Sequence, residues 1–205
     1  ANFRLLRMLS KNAQGAVIQD LNYTYDAVGN IMTITDNVNT ATQSFQYDHL
    51  NRLKQATGTR YGPKTYTYDE TGNILTKDGL TYTYGAGVAG PHAVTGLSNG
   101  TTYTYDNNGN MTGKVQAGTT TAYAYDKENR LQGVTKNGAS VVQYEYDGDG
   151  GRTRKIDNLP GGETISFVGS LYEASNVRST SVLFLGDKRI ASITNGQANY
   201  FLPDH

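Results

Sequence analysis

Apolar and polar residues alternate along most of this chain, and short runs of aspartate, asparagine and glycine interrupt the alternation at regular intervals. Tyr23-Thr24-Tyr25 puts two rings on one face of an extended strand and a threonine on the other, and Tyr66-Thr67-Tyr68, Tyr103-Thr104-Tyr105 and Tyr123-Ala124-Tyr125 repeat the arrangement. A period of two predicts half-buried β-strands. No window carries the 3.6-residue apolar stripe of an amphipathic helix, so helix is expected to be close to absent.

The strand ends recur. Tyr-x-Tyr-Asp or a close relative stands at Tyr23 to Asp26, Phe45 to Asp48, Tyr66 to Asp69, Tyr82 to Gly85, Tyr103 to Asp106, Tyr123 to Asp126 and Tyr144 to Asp147. The fourth residues fall at 26, 48, 69, 85, 106, 126 and 147, a period of about 21 broken once, at the fourth unit. There Gly85 replaces the aspartate, and Gly-Ala-Gly-Val-Ala-Gly-Pro-His replaces the usual turn. Self-similarity at this spacing marks a repeat architecture.

Each regular unit spells a hairpin. The aspartates Asp26, Asp48, Asp69, Asp106, Asp126 and Asp147 suit the first position of a type I turn, because the carboxylate accepts from backbone amides two or three residues on. Gly29, Gly72 and Gly109 suit the left-handed position that closes such a turn and forms a bulge. In two units that position is Asn51 or Asn129, and asparagine is the next most tolerant residue of positive φ. An apolar residue then leads the return strand (Ile31, Leu53, Ile74, Met111, Leu131), except in the last unit, where Arg152 stands there. Asp78-Gly79, Asn99-Gly100 and Asn137-Gly138 read as tight two-residue hairpin turns at the other end. Two alternating turn types predict an all-β fold: a long antiparallel meander of about seven 21-residue hairpin repeats, forming a twisted, spiralling sheet.

Beyond Asp157 the period fades while strand signals continue at Thr164 to Tyr172, Ser181 to Leu185, Arg189 to Thr194 and Ala198 to Leu202. At the other end Phe3 to Leu9 and Ala16 to Leu21 predict a hairpin around Asn12 to Gly15. The expected organisation is a single sheet over residues 1–205, regular from about 20 to 157 and less regular from 158 to 205. The chain begins mid-pattern, as expected of a piece excised from a longer protein, whose targeting signal would lie elsewhere.

Composition narrows the function. Eighteen basic and 18 acidic residues give a formal charge of zero, which argues against nucleic-acid binding and against a polybasic membrane patch. The longest apolar runs are far too short for membrane insertion as a helix. With no cysteine there is no disulfide frame or thiol nucleophile, and three scattered histidines, His49, His92 and His205, do not make a metal cluster. Leucine, isoleucine, valine and phenylalanine make up just under a fifth of the chain, while 16 tyrosines supply much of the apolar area.

Three patterns invite a chemical reading. Gly85 to Gly90 spells G-x-G-x-x-G, but Pro91 and a strand-like sequence follow where a dinucleotide loop needs a helix. Asp147-Gly148-Asp149-Gly150-Gly151 suggests a calcium loop, yet its twelfth position is Asn158 rather than glutamate, and a turn with an extra carboxylate is the favoured reading. The six repeated aspartates share one turn position, which self-capping explains and a catalytic pair would not require. No catalytic, cofactor or metal residue is expected, and the chain reads as a non-enzyme. The repeat tyrosines Tyr25, Tyr47, Tyr68, Tyr84, Tyr105, Tyr125 and Tyr146 are expected to seal a β-surface with their hydroxyls reaching water, with carbohydrate stacking as the alternative.

The signatures Tyr-Asp-x-x-Gly-Asn and Tyr-Asp-x-x-Asn-Arg-Leu resemble those of the RHS/YD-repeat family over about residues 20–157. Gly90-Pro91-His92-Ala93-Val94-Thr95 is similar to a variant repeat of bacterial members, and Tyr200-Phe201-Leu202-Pro203-Asp204-His205 resembles the start of the family's core segment. The resemblance implies a hollow β-shell, as in bacterial RHS proteins, the C component of insecticidal Tc toxins, and teneurins. In the toxins the shell encloses a C-terminal toxic domain, and the family's self-cleaving aspartates lie in the core segment beyond residue 205. The expected role is therefore a structural wall segment of a secreted or cell-surface bacterial protein, its partners the rest of the shell and the toxin cargo. The alternative is an adhesion module for cell-surface carbohydrate or protein. Unpaired end strands predict edge-to-edge self-association.

Overall fold

The computed structural model describes residues 3–201, so the strand expected at Ala198 to Leu202 is described only to Phe201, and the last four residues of the core-like segment, His205 among them, lie outside the described residues. The described residues form two compact units, the first running to Tyr82 and the second beginning at Thr83. No helix occurs among them.

The first unit carries β1 (Arg7–Lys11), β2 (Val17–Tyr25), β3 (Ile31–Asp36), β4 (Ala41–Tyr47), β5 (Leu53–Gly58), β6 (Tyr61–Tyr68), β7 (Ile74–Lys77) and the start of β8 (Leu80–Tyr84). Each pairs antiparallel with the next in sequence. β6 divides its pairing, meeting β5 through its first half and β7 through Tyr66 to Tyr68.

The second unit continues with β9 (Val94–Leu97), β10 (Thr102–Tyr105), β11 (Met111–Gln116), β12 (Thr119–Tyr125), β13 (Leu131–Lys136) and β14 (Ala139–Tyr146). Then come β15 (Arg152–Asp157), β16 (Thr164–Val168), β17 (Tyr172–Ala174), β18 (Ser179–Leu185), β19 (Lys188–Thr194) and β20 (Gln197–Tyr200). Neighbours in sequence are again neighbours in the ladder, all antiparallel. Where one strand was expected from Thr164 to Tyr172, the structure has two. Gly169 takes a φ of 55°, and the Leu171 amide donates to the Val168 carbonyl at 3.3 Å, reversing the chain.

Six hairpins, one at each strand ending in a repeat tyrosine except that of the irregular fourth unit, carry the same bulge. Thr24 pairs with Thr33 but Tyr25 with Ile31, leaving Met32 unmatched, and the identical slip follows Tyr47, Tyr68, Tyr105, Tyr125 and Tyr146. A bulge adds local right-handed twist to the strand that carries it, so each repeat contributes the same increment.

Strands touch only their sequence neighbours, and few side chains are buried: Tyr23, Ala56, Val142, Ile165 and Ala191 among the apolar ones, Asp20, Thr101, Thr121 and Thr180 among the polar. The tyrosine face is half-buried and the opposite face exposed, as in β10, where Tyr103 and Tyr105 are half-buried and Thr102 and Thr104 exposed. On the exposed face threonines bridge the hairpins, Thr24 to Thr33 and Thr67 to Thr76, both at 2.6 Å between hydroxyl oxygens. A sheet with so little core depends on backbone pairing and on what its side chains do at the strand ends.

Candidate functional site: the aspartate corner and the tyrosine seam

The corner is a carboxylate wrapped by its own turn. Asp26 Oδ1 accepts the amides of Val28, Gly29 and Asn30 at 3.0, 2.7 and 2.8 Å, and Oδ2 accepts the Asn30 side-chain amide at 2.8 Å. Asp69 and Asp106 repeat this with Asn73 and Asn110. At Asp48 and Asp126 the fourth residue is arginine, and Nε of Arg52 or Arg130 reaches Oδ2 at 2.7 Å. Asp147 keeps the backbone part through the amides of Asp149 and Gly151, and its fourth residue has no side chain to add. The residue just before it, three after the aspartate, is left-handed throughout: Gly29 at 111°, Asn51 at 60°, Gly72 at 94°, Gly109 at 85°, Asn129 at 61° and Gly150 at 85°.

These donors set the charge state. At Asp48 and Asp126 the amide of the fourth residue leads, at Asp106 the Asn110 side chain, and each carboxyl sits below the ordinary range. At Asp26 and Asp69 desolvation is the largest single influence and opposes ionisation, but the hydrogen bonds together outweigh it and the direction is again downward. Both oxygens of these five carboxylates are engaged by the turn.

The second tyrosine of each pair ties its repeat to the one before. Tyr25 Oη donates to the Leu5 carbonyl at 2.8 Å, Tyr47 to Ile31 at 2.9 Å, Tyr68 to Leu53 at 2.8 Å, Tyr125 to Met111 at 3.1 Å and Tyr146 to Leu131 at 2.7 Å. The acceptor is the apolar residue that leads the previous return strand. Hydroxyls expected to reach water instead close a seam, because that carbonyl lies beside the bulge within reach of the next ring. Burial pushes Tyr47, Tyr68, Tyr105 and Tyr125 above the ordinary phenol value.

A second link alternates. After an asparagine-ended corner, the fourth-residue amide reaches the next left-handed asparagine: Asn30 Nδ2 to Asn51 Oδ1 at 2.9 Å, Asn110 Nδ2 to Asn129 Oδ1 at 2.7 Å. After an arginine-ended corner, the guanidinium donates to the next aspartate's carbonyl, Arg52 to Asp69 at 3.0 Å and Arg130 to Asp147 at 3.2 Å. It also lies over the next tyrosine, 4.6 Å from the Tyr68 centroid and 5.0 Å from that of Tyr146. Arg4 behaves as such an arginine, bonding the Asp26 carbonyl at 2.9 Å, and a Cβ on Gly29 would stand 2.7 Å from its guanidinium. Arg4-Leu5 thus repeats Arg52-Leu53 and Arg130-Leu131.

The irregular fourth unit preserves the seam by other means. Tyr84 ends β8 half-buried, and residues 85–93 form a loop closed by the Gly85 amide on the Ala93 carbonyl at 3.1 Å. Val94 follows in the leading position and accepts Tyr105 Oη at 2.7 Å. The G-x-G-x-x-G loop thus leads into strand β9, which presents no helix N-terminus to a phosphate.

Asn99-Gly100 is not the two-residue turn expected of it. Gly100 alone is left-handed, at 84°, its amide donates to the Leu97 carbonyl, and Asn99 Oδ1 instead accepts the Thr101 amide at 3.1 Å. The preference of asparagine for capping its own backbone has won. Asp78-Gly79 and Asn137-Gly138 do have positive φ at both residues. Among the described residues no three metal-ligating side chains gather.

A meander whose repeats are joined by aspartate corners and tyrosine seams defines a YD-repeat sheet. Residues 4–87 match the family model described as Teneurin YD-shell, and the same Tyr-Asp signature runs on to Asp147. No curated protein matches it. Among solved structures it is similar to the crystal structure of TcdB2-TccC3-Cdc42, at 18% identity and a TM-score of 0.67, covering 99% of this chain and 12% of that one. It is also similar to that of TcdB2-TccC3-TEV and to that of TcdB2-TccC3 without hypervariable C-terminal region, each at 17% identity and a TM-score of 0.64, covering 96% of this chain and 12% of the other. The likeness is one of fold, and the chain spans about an eighth of those chains' length.

Proposed function

We propose that this chain is a wall segment of an RHS/YD-repeat shell, a structural and non-catalytic part of a secreted or cell-surface bacterial protein whose shell encloses a C-terminal toxic domain. The observation that carries the reading is the seam: successive repeats are fastened by a tyrosine hydroxyl on the preceding backbone as well as by the strand ladder. Such fastening stiffens a thin sheet without a second layer behind it, which is what a wall around a cavity requires. The YD-shell match and the fold shared with the TcdB2-TccC3 structures support the same reading. The turn aspartates and repeat tyrosines are its structural residues.

Limited proteolysis of the full parent chain tests it. The region after the shell should resist protease while the wall is intact and become cleavable when Tyr47, Tyr68, Tyr125 and Tyr146 are together replaced by phenylalanine. Equal cleavage in both forms, or saturable glycan binding that vanishes with the tyrosine rings, would reject the wall in favour of an exposed adhesion module.

A further inference from the structure

In the regular repeats, rings and aliphatic side chains close the tyrosine face. The hairpin of β18 and β19 keeps the bulge, with Leu183 opposite Ala191 and Phe184 opposite Arg189, but changes the filling. Val182 stands where Tyr123 and Tyr144 stand, so a ring is missing. Arg189 and, two hairpins earlier, Arg152 take the leading position that Ile31, Leu53, Ile74, Met111 and Leu131 occupy elsewhere. The room left is a cavity of about 490 Å³ lined by both arginines.

The cavity is lined by three arginines and several hydroxyls, with one carboxylate, Glu173, among them. Its floor carries the hydroxyls of Thr180, Ser192 and Thr194, with Thr180 and Thr194 bonded to each other at 2.9 Å. Arg152 is braced against Phe167 and Tyr144, 4.8 and 5.4 Å from their centroids, and Arg189 against Phe184 and Phe201, both at 5.9 Å. A third arginine, Arg178, is satisfied by Glu163 at 3.0 Å and Glu173 at 3.7 Å. Arg152 and Arg189 form no ion pair among the described residues. The rings lie beside the two exposed guanidinium groups, whose planar sets of N–H donors can fork an oxyanion.

We infer that this cavity is a binding site for an oxyanion, a carboxylate or a phosphate-type group, held between Arg152 and Arg189 over the hydroxyl floor. The site goes beyond the wall reading and stands whether or not the chain encloses cargo.

Calorimetric titration of the whole chain with inorganic phosphate and, separately, with tetraglutamate tests the site. Saturable binding of either probe is expected; the one that binds identifies the oxyanion, and binding of both with mutual competition assigns the shared chemistry. Arg152→Leu and Arg189→Leu should each weaken it at least about tenfold, and Arg152→Lys should weaken it less, since charge survives but the fork is lost. Val182→Tyr should abolish binding by restoring the ring. Arg154→Leu, which removes the same charge from the opposite face where Arg154 meets Glu145 at 3.4 Å, should leave it unchanged. No saturable binding of either probe, or equal loss with Arg154→Leu and Arg152→Leu at unchanged melting temperature, would overturn the assignment.

Discussion

The Tyr47 hydroxyl donates to the Ile31 carbonyl oxygen at 2.9 Å, reaching back across 16 residues to the return strand of the previous hairpin. A strand residue has thereby been given the job of a fastener between repeats. Replacing Tyr47 with phenylalanine keeps the ring and removes only the donor, so the expected loss is about 0.5–1.5 kcal/mol. Tyr146→Phe, which frees the Leu131 carbonyl, should cost a similar amount. Because the two seams share no partner, the double variant should lose close to the sum. Chemical denaturation measures all three, and no loss in either single variant would mean that water replaces the seam without cost.

The left-handed corners give the second prediction. Valine at Asn51 or Asn129 should cost about 1–2 kcal/mol from backbone strain alone, and more because Asn30 and Asn110 lose their acceptors. Glycine at the same positions keeps the backbone at ease and should show only the smaller loss of the amide link. The converse applies where an ill-suited residue is left-handed: Thr40 and Ala117 both sit at a φ of 49°. Thr40→Gly and Ala117→Gly should each gain up to about 1 kcal/mol. Thermal melting orders the series, and a valine variant as stable as the glycine variant would contradict the strain argument.

How far these features could be read in advance depends on how local they are. Asp26, Gly29 and Asn51 act on backbone within four residues of themselves, so spacing and residue type sufficed to place the corners and their positive φ. The seam is not local: alternation puts Tyr47 on a face, but only register and the bulge after it decide that the Ile31 carbonyl is the group it meets. The hairpin of Phe184 and Arg189 was legible as two strands, Ser181 to Leu185 and Arg189 to Thr194, but its kinship with the repeats was not, since it keeps the geometry while losing both tyrosine and aspartate. At Asn99-Gly100 a familiar dipeptide was outweighed by the asparagine's own hydrogen bond to Thr101.

Stability should fall at both ends of the pH scale. Asp26, Asp48, Asp69, Asp106 and Asp126 have depressed pKa values in the folded chain. On acidification the unfolded chain takes up protons first, so their contribution is complete above about pH 4 and is lost as pH drops through the folded values. Tyr47, Tyr68, Tyr105 and Tyr125 have raised values, so the unfolded chain ionises first on the alkaline side. That contribution is complete below about pH 10 and is lost as pH rises through the folded values. A melting temperature that plateaus between and drops on both flanks is expected, with Asp48→Asn making the acid flank shallower. A melting temperature unchanged from pH 5 to pH 3 would contradict the role given to the corners.

Self-association is expected at the terminal strands. Among the described residues β1 pairs only with β2 and β20 only with β19, so each offers an unpaired row of backbone donors and acceptors. Such rows template pairing with another chain unless charge, proline or a covering segment blunts them. β20 itself carries neither charge nor proline: its residues are Gln-Ala-Asn-Tyr, and Tyr200 is 78% exposed. β1 carries Arg7 and Lys11 and is better protected, though Leu9 is also exposed. Association should therefore run through β20, growing with concentration in sedimentation velocity or size-exclusion chromatography. Tyr200→Lys should suppress it, and a lysine at exposed Val28, in a corner rather than on an edge, should not. A chain that stays monomeric across the concentration range, or one in which both lysines act equally, would show that the open edge is not what brings the molecules together.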